Sequence, residues 1–174
     1  MKENKSKTLL SYLLAAVGIL ALTLFDQWTK LLAAANLKDQ EPFTIIKGVF
    51  QLNYLENRGA AFGIMQNQQM FFAVIAGLIL ILLIVLYYKM PHTPRFYLLR
   101  FSFVLLCAGA IGNMIDRIRL NFVIDFFDFK LINFPIFNVA DCYVVIACIL
   151  FAVSILFYYS DEELKCFSFK KGNK

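Results

Sequence analysis

The sequence predicts a membrane all-α protein: four transmembrane helices, with a small extracytoplasmic β platform and a surface half-helix. Three observations predict it. Of the 174 residues, 60% are hydrophobic and only 17% are charged, a balance well outside that of soluble domains. Four stretches, 9–25, 70–88, 96–115 and 136–159, are long enough to cross a hydrocarbon layer about 30 Å thick, which takes roughly 17–25 apolar residues. The acids, amides and one arginine at the span ends gather on one side of the resulting topology. Backbone groups in lipid have no water to bond, so each span must be a helix. Residues 1–160 read as a single membrane-embedded domain and 161–174 as a cytoplasmic tail.

Charge gives the orientation. The net charge is +5, but no basic face is interleaved with aromatics, so nucleic acid is not an expected partner. Ten of the seventeen basic residues fall in three short segments: Lys2, Lys5 and Lys7; Lys89, Arg95 and Arg100; Lys165, Lys170, Lys171 and Lys174. The positive-inside rule puts these in the cytoplasm. Both termini are then inside, and two loops, about 26–69 and 116–135, lie outside. Ala33-Ala34-Ala35 resembles a signal-peptide cleavage site, yet the apolar run before it is long, Asp26 and Lys30 intervene and three further spans follow.

The first outer loop is the largest non-spanning region. Residues 31–37 continue as an apolar helical piece suited to the membrane surface. Phe43-Thr44-Ile45-Ile46 and Val49-Phe50-Gln51-Leu52-Asn53-Tyr54-Leu55 are rich in β-branched and aromatic residues, with Gly48 between them, which predicts a hairpin. Asn57-Arg58-Gly59-Ala60-Ala61-Phe62-Gly63 follows as a turn. No internal repeat supports an inverted-repeat transporter. Cys107, Cys142, Cys148 and Cys166 have neither a disulfide framework nor metal-ligand spacing and read as packing residues. With His92 the single histidine, a histidine-based triad or zinc protease lacks its components.

The outer side collects Asp26, Asp116, Asp125, Asp141, Arg117, Asn57, Asn113 and Asn138. Carboxylates beside apolar spans are costly unless paired or hydrated, so such a one-sided collection suggests a site. Each residue also has a structural reading. Asp26 and Lys30 have the i, i+4 spacing of a helix-surface ion pair. Asn138 and Asp141 have the spacing of an N-cap and a third-position acid. Asp116-Arg117 reads equally as a turn pair closing the third span or as a substrate contact, and Asp128 as a loop acid. Asp125, in Val123-Ile124-Asp125-Phe126, has no helix to cap. Two nearby acids in a partly dry site cannot both ionise cheaply, which leaves one acid and one base able to activate a water. A carrier using the acids as relays would line a path across the membrane, and an assembly subunit would use the polar cluster as an interface.

Five ordered segments resemble the lipoprotein signal peptidases, the signal peptidase II family of membrane aspartic proteases. They are Asp26-x-x-x-Lys30; Asn57-Arg58-Gly59-Ala60-Ala61-Phe62-Gly63; Gly112-Asn113-Met114-Ile115-Asp116-Arg117; Val123-Ile124-Asp125-Phe126; and Phe137-Asn138-Val139-Ala140-Asp141. The resemblance implies cleavage of diacylglyceryl-modified prolipoproteins just before the lipidated cysteine, in the bacterial inner membrane, with no cofactor and no metal. It implies a catalytic dyad of Asp125 and Asp141, site-shaping or substrate-holding roles for Asn57, Gly59, Asn113, Asp116, Arg117 and Asn138, and support from Asp26 with Lys30. It further implies inhibition by globomycin, and a monomer is expected. The dipole at the fourth helix's N-terminus suggests Asp141 as base and Asp125 as the protonated partner. One departure is Asn121, where the family often has glycine; asparagine tolerates left-handed backbone angles. The phenylalanines at 126, 127 and 129 are candidates for contact with lipid or substrate acyl chains.

Overall fold

The computed structural model describes residues 2–59 and 68–167. Among the described residues, four helical stretches are long and apolar enough to cross a membrane: Thr8–Leu37, Gln69–Lys89, Pro94–Leu120 and Val139–Tyr158. The helices are α1 (Lys2–Leu37), α2 (Gln69–Lys89), α3 (Tyr97–Leu120, entered by a 3₁₀ turn at Pro94–Phe96) and α4 (Val139–Val153, ending in a π turn at Ser154–Tyr158). A short α5 (Asp161–Leu164) follows. Half of the most apolar stretch of the third span is buried, against 11% for the first and second, so α3 is the central helix. The outward leucines, isoleucines and valines of α1, α2 and α4 are largely exposed, as lipid-facing surfaces require.

Close approach between α3 and α4 depends on Gly109. A methyl group there would lie 2.6 Å from the Ala140 carbonyl oxygen and 2.8 Å from Val144 Cγ2. Small residues of this kind let helix backbones meet where lipid removes the hydrophobic incentive to associate. The core has two parts. Ala33, Leu105, Ala108, Ile124, Phe126, Val139, Tyr143 and Ala147 fill the outer half. Leu80, Leu83, Met90, Phe96, Leu99, Phe103, Cys107 and Tyr159 fill the inner half. At the inner end the buried Arg100 guanidinium donates to the carbonyls of Met90 and Pro91 and to Ser11 Oγ, which satisfies the end of α2.

The expected hairpin is present: β1 (Phe43–Ile46) pairs antiparallel with β2 (Phe50–Asn57), and Gly48 sits at φ 75° in the turn. A third strand, β3 (Val123–Asp128), pairs antiparallel with β2 and completes a sheet of order β1-β2-β3. The segment holding Asp125 is therefore a strand and not a loop. Asn121 ends α3 at φ 61°, the left-handed conformation its side chain tolerates. Asp128, read as a loop acid, is buried opposite Gln51 and accepts from its Nε2 at 2.7 Å.

Residues 31–37 are helical as expected, but they continue α1 without a break instead of forming a separate half-helix. Ala33 is buried in the outer core, and Ala34 and Leu37 pack against it together with Leu52 and Tyr54 of β2. That packing holds the last turns of α1 in line. Phe126 is buried, and Phe127, Phe129, Phe134 and Phe137 form an aromatic cluster with Phe50, so the phenylalanine-rich stretch mainly packs on itself.

Gly109→Ala is expected to lower the melting temperature in detergent, because overpacking costs about 1–3 kcal/mol. Gly77→Ala, where nothing lies within 4 Å of the added carbon, serves as the control. Equal melting of both variants and the parent, followed by intrinsic fluorescence, would refute the close-approach argument.

Candidate functional site

Five elements deliver the polar residues to one place at the outer end of the bundle. Asp26 and Lys30 come from α1, Asn113, Asp116 and Arg117 from the last turns of α3, Asn57 and Asp125 from neighbouring strands, and Asn138 and Asp141 from the start of α4. The strand register explains one of these meetings: Leu55 lies opposite Asp125 and Asn57 opposite Val123, so Asn57 and Asp125 share a face as diagonal neighbours. Asn57 Nδ2 donates to Asp125 Oδ2 at 2.9 Å.

Asn138 links the two acids. Its side-chain oxygen accepts from the Asp141 N–H at 3.1 Å, and Asp141 Oδ2 accepts from the Asn138 N–H at 3.1 Å. This reciprocal capping box starts α4. The same Asn138 amide donates through Nδ2 to Asp125 Oδ1 at 2.7 Å. Asn113 Nδ2 donates to Asp141 Oδ1 at 2.8 Å. All four carboxylate oxygens of Asp125 and Asp141 thus face N–H donors. Asp125 is 2% exposed and Asp141 is half-buried. Burial pushes the Asp125 carboxyl up from 3.8 to about 7, and the Asp141 charge adds to the rise. The hydrogen bonds from Asn57 and Asn138, and the positive charge of Lys30, act against it.

Beneath this pair lies a closed ionic cluster. Lys30 Nζ is 2.9 Å from Asp26 Oδ2, 3.0 Å from Asp116 Oδ2 and 2.8 Å from Asn113 Oδ1. The Asp26–Lys30 spacing does form an ion pair, but it is buried, not on a helix surface: Asp26 and Lys30 are 0% and 1% exposed. Asp26 Oδ1 also accepts from the Ala140 N–H at 2.9 Å, one of the free donors of the first turn of α4. Asp116 is not paired with Arg117. It faces inward and accepts from the Ile124 N–H at 3.2 Å and from Gln27 Nε2 at 2.9 Å. Gln27, which carried no signal in the sequence, also donates to the Gly112 carbonyl and to Asp26 Oδ2.

Arg117 is half-buried, with its guanidinium 5.3 Å from the Phe72 ring centre and a long contact, 3.4 Å, to the Asn113 carbonyl. Its Nε is buried without a partner among the described residues. Gly59 is buried and donates its N–H to Asn57 Oδ1 at 3.0 Å, which orients that amide. The rest of the expected turn, Ala60 to Gly63, lies outside the described residues. Among the described residues no group of three or more His, Cys, Asp or Glu is arranged to hold a metal ion.

Comparison with known proteins places the chain in a family. Residues 18–157 match the family described as Signal peptidase (SPase) II. The chain belongs to the signal peptidase II family. A lipoprotein signal peptidase of Caldanaerobacter subterraneus subsp. tengcongensis is 44% identical over 82% of this chain and 96% of the relative. One from Clostridioides difficile is 40% identical over 87% of this chain and 99% of the relative. A bacterial membrane enzyme solved by the in meso method at 2.3 Å superposes with a TM-score of 0.75 at 30% identity, covering 91% of this chain and 94% of the other. This signal peptidase II family member is accordingly a multi-pass membrane protein and a peptidase. The shared fold agrees with four spans and the small sheet.

Infrared difference spectra offer a test of the Asp125 environment. A protonated-carboxyl band that Asp125→Asn removes is expected to persist until the pH nears 7. An ordinary aspartate loses it by about pH 5. Disappearance of the Asp125 band at that lower pH would contradict the effect of burial.

Proposed function

We propose that this protein is an aspartic endopeptidase that removes signal peptides from diacylglyceryl-modified prolipoproteins, cutting before the lipidated cysteine with a water activated by Asp125 and Asp141. The observation that carries the reading is the pairing of the two acids through Asn138, with the buried Asp125 inclined to keep its proton near neutral pH. The names of the curated relatives supply the substrate class.

The chemistry follows from that pairing. Asp141, the more exposed acid, takes a proton from a water, and the water oxygen attacks the scissile carbonyl carbon. Asp125 gives its proton to the carbonyl oxygen, forming a neutral tetrahedral diol. Asp141 then passes its proton to the leaving nitrogen, Asp125 recovers one from a diol hydroxyl, and the C–N bond breaks. The products are a carboxyl on the signal peptide and a free amine on the lipidated cysteine, and the pair ends with the one proton it began with. Asn57, Asn113 and Asn138 keep the carboxyls oriented, Asp116 shapes the site from below, and Arg117 with Gly59 lines the approach for substrate backbone. Asp26 and Lys30 support the cluster.

Residues 1–160 form the peptidase domain and 161–174 a cytoplasmic tail. With both termini inside, in a bacterial inner membrane, the site opens near the outer face, where a translocated precursor presents its cleavage site. Globomycin is an expected inhibitor, and one copy of the chain is a sufficient unit.

Asp125→Asn and Asp141→Asn are each expected to lower cleavage of a lipidated precursor by about 10²–10⁴-fold or more, with expression and folding retained. Normal turnover by either variant would sink the assignment. In the parent, kcat is expected to decline as the pH rises through about 7, because Asp125 then loses the proton it must donate. A profile flat from pH 6 to 9 would contradict this. Cleavage stopped by globomycin would support the substrate class.

A further inference from the structure

We infer that Lys30 is a positioning residue for the acid pair: its ammonium fixes the orientation of the Asn113 amide, and through it the donor that faces Asp141. The inference deepens the dyad reading above and rests on it. An ammonium has three N–H donors and no acceptor. In this structure the three directions go to Asp26 Oδ2, Asp116 Oδ2 and Asn113 Oδ1. Asn113 must therefore present oxygen to Lys30, which turns its NH₂ group toward Asp141 Oδ1 at 2.8 Å. The Asn138 amide reinforces this by donating to the same Asn113 oxygen at 3.0 Å.

The other two amides are fixed on the same principle, but by backbone. Asn138 Oδ1 faces the Asp141 N–H, and Asn57 Oδ1 faces the Gly59 N–H. A backbone N–H can only donate, so both amides turn NH₂ toward Asp125. Asn113 alone among the three is oriented by side chains, and the charged one is Lys30. Without that ammonium the amide can turn its oxygen toward Asp141, where it would repel an ionised carboxylate and hold a protonated one. The base would then be disabled although every group proposed to meet the substrate is still present.

A compensated pair of substitutions tests this. Lys30→Met with Asp26→Asn removes one positive and one negative charge, so the buried cluster keeps its net formal charge. Lys30→Met with Asp116→Asn does the same on the α3 side. Both are assayed on a diacylglyceryl-modified precursor in detergent, beside Asp125→Asn as the null for chemistry. The expected result is kcat lower by on the order of 10–100-fold, the scale of a misplaced hydrogen bond to a charged group, with KM little changed. Lys30→Met alone is also expected to move the descending limb of the pH profile to higher pH. It removes a positive charge that favours ionised Asp125, while the Asp141 charge that disfavours it stays in place. Parental kcat in the folded compensated variants would overturn the inference, as would an unshifted pH profile in folded Lys30→Met, and so would failure of both compensated variants to fold, since Lys30 would then serve folding alone. If Asp125→Asn itself turns over normally, the dyad reading fails first.

Discussion

A buried ammonium among two buried carboxylates is the constraint on which the outer half of this molecule depends. Lys30, Asp26 and Asp116 are at most 2% exposed, and charges so enclosed are tolerable only with their partners in place. Each partner belongs to a different part of the chain. Lys30 and Asp26 lie one helical turn apart on α1, and Asp116 lies on α3. The second oxygen of Asp26 bonds the Ala140 N–H of α4, and Asp116 bonds the Ile124 N–H of β3. Moving any of these elements would expose or orphan a charge. The cluster therefore sets where α4 begins and where β3 runs, and those two positions carry Asp141 and Asp125.

The start of α4 serves two purposes at once. Asn138 and Asp141 satisfy each other's backbone N–H groups, as a helix beginning requires. The same side chains also carry hydrogen bonds to Asp125 and from Asn113. A capping carboxylate has a fixed place and fixed donors, so the fold orients Asp141 as a condition of starting the helix. Asp125 is oriented differently, by a strand whose register brings Asn57 alongside it. One acid thus belongs to a helix terminus and stays half-exposed, while the other belongs to a buried strand.

Most of the bundle was legible because lipid imposes a simple code. Length and hydropathy locate four spans, and the structure has helices at each. The hairpin around Gly48 and the left-handed Asn121 were legible from local residue chemistry. The capping box at Asn138 was legible from spacing alone. The strand at 123–128 was not, because Val-Ile-Asp-Phe-Phe-Asp alternates poorly and its partner, β2, lies about 70 residues earlier. The helical continuation through residue 37 was legible, but its packing was not, because the contact of Ala33, Ala34 and Leu37 with the sheet and core is not local. Gln27 was missed because nothing in a glutamine beside an aspartate announces that its amide will reach 89 residues along the chain to Asp116.

By itself the sequence determined the number of spans and the family, the latter through five ordered motifs. These depend on composition, spacing and short segments, all of which survive being read in one dimension. Only the tertiary structure decided that the Asp26–Lys30 pair is buried, that Asp116 turns away from Arg117 to meet it, and that each asparagine amide aims its NH₂ group at a carboxylate. An amide's orientation and a charge's burial are set by whichever groups surround them, and here those groups come from α1, α3, α4 and the sheet together.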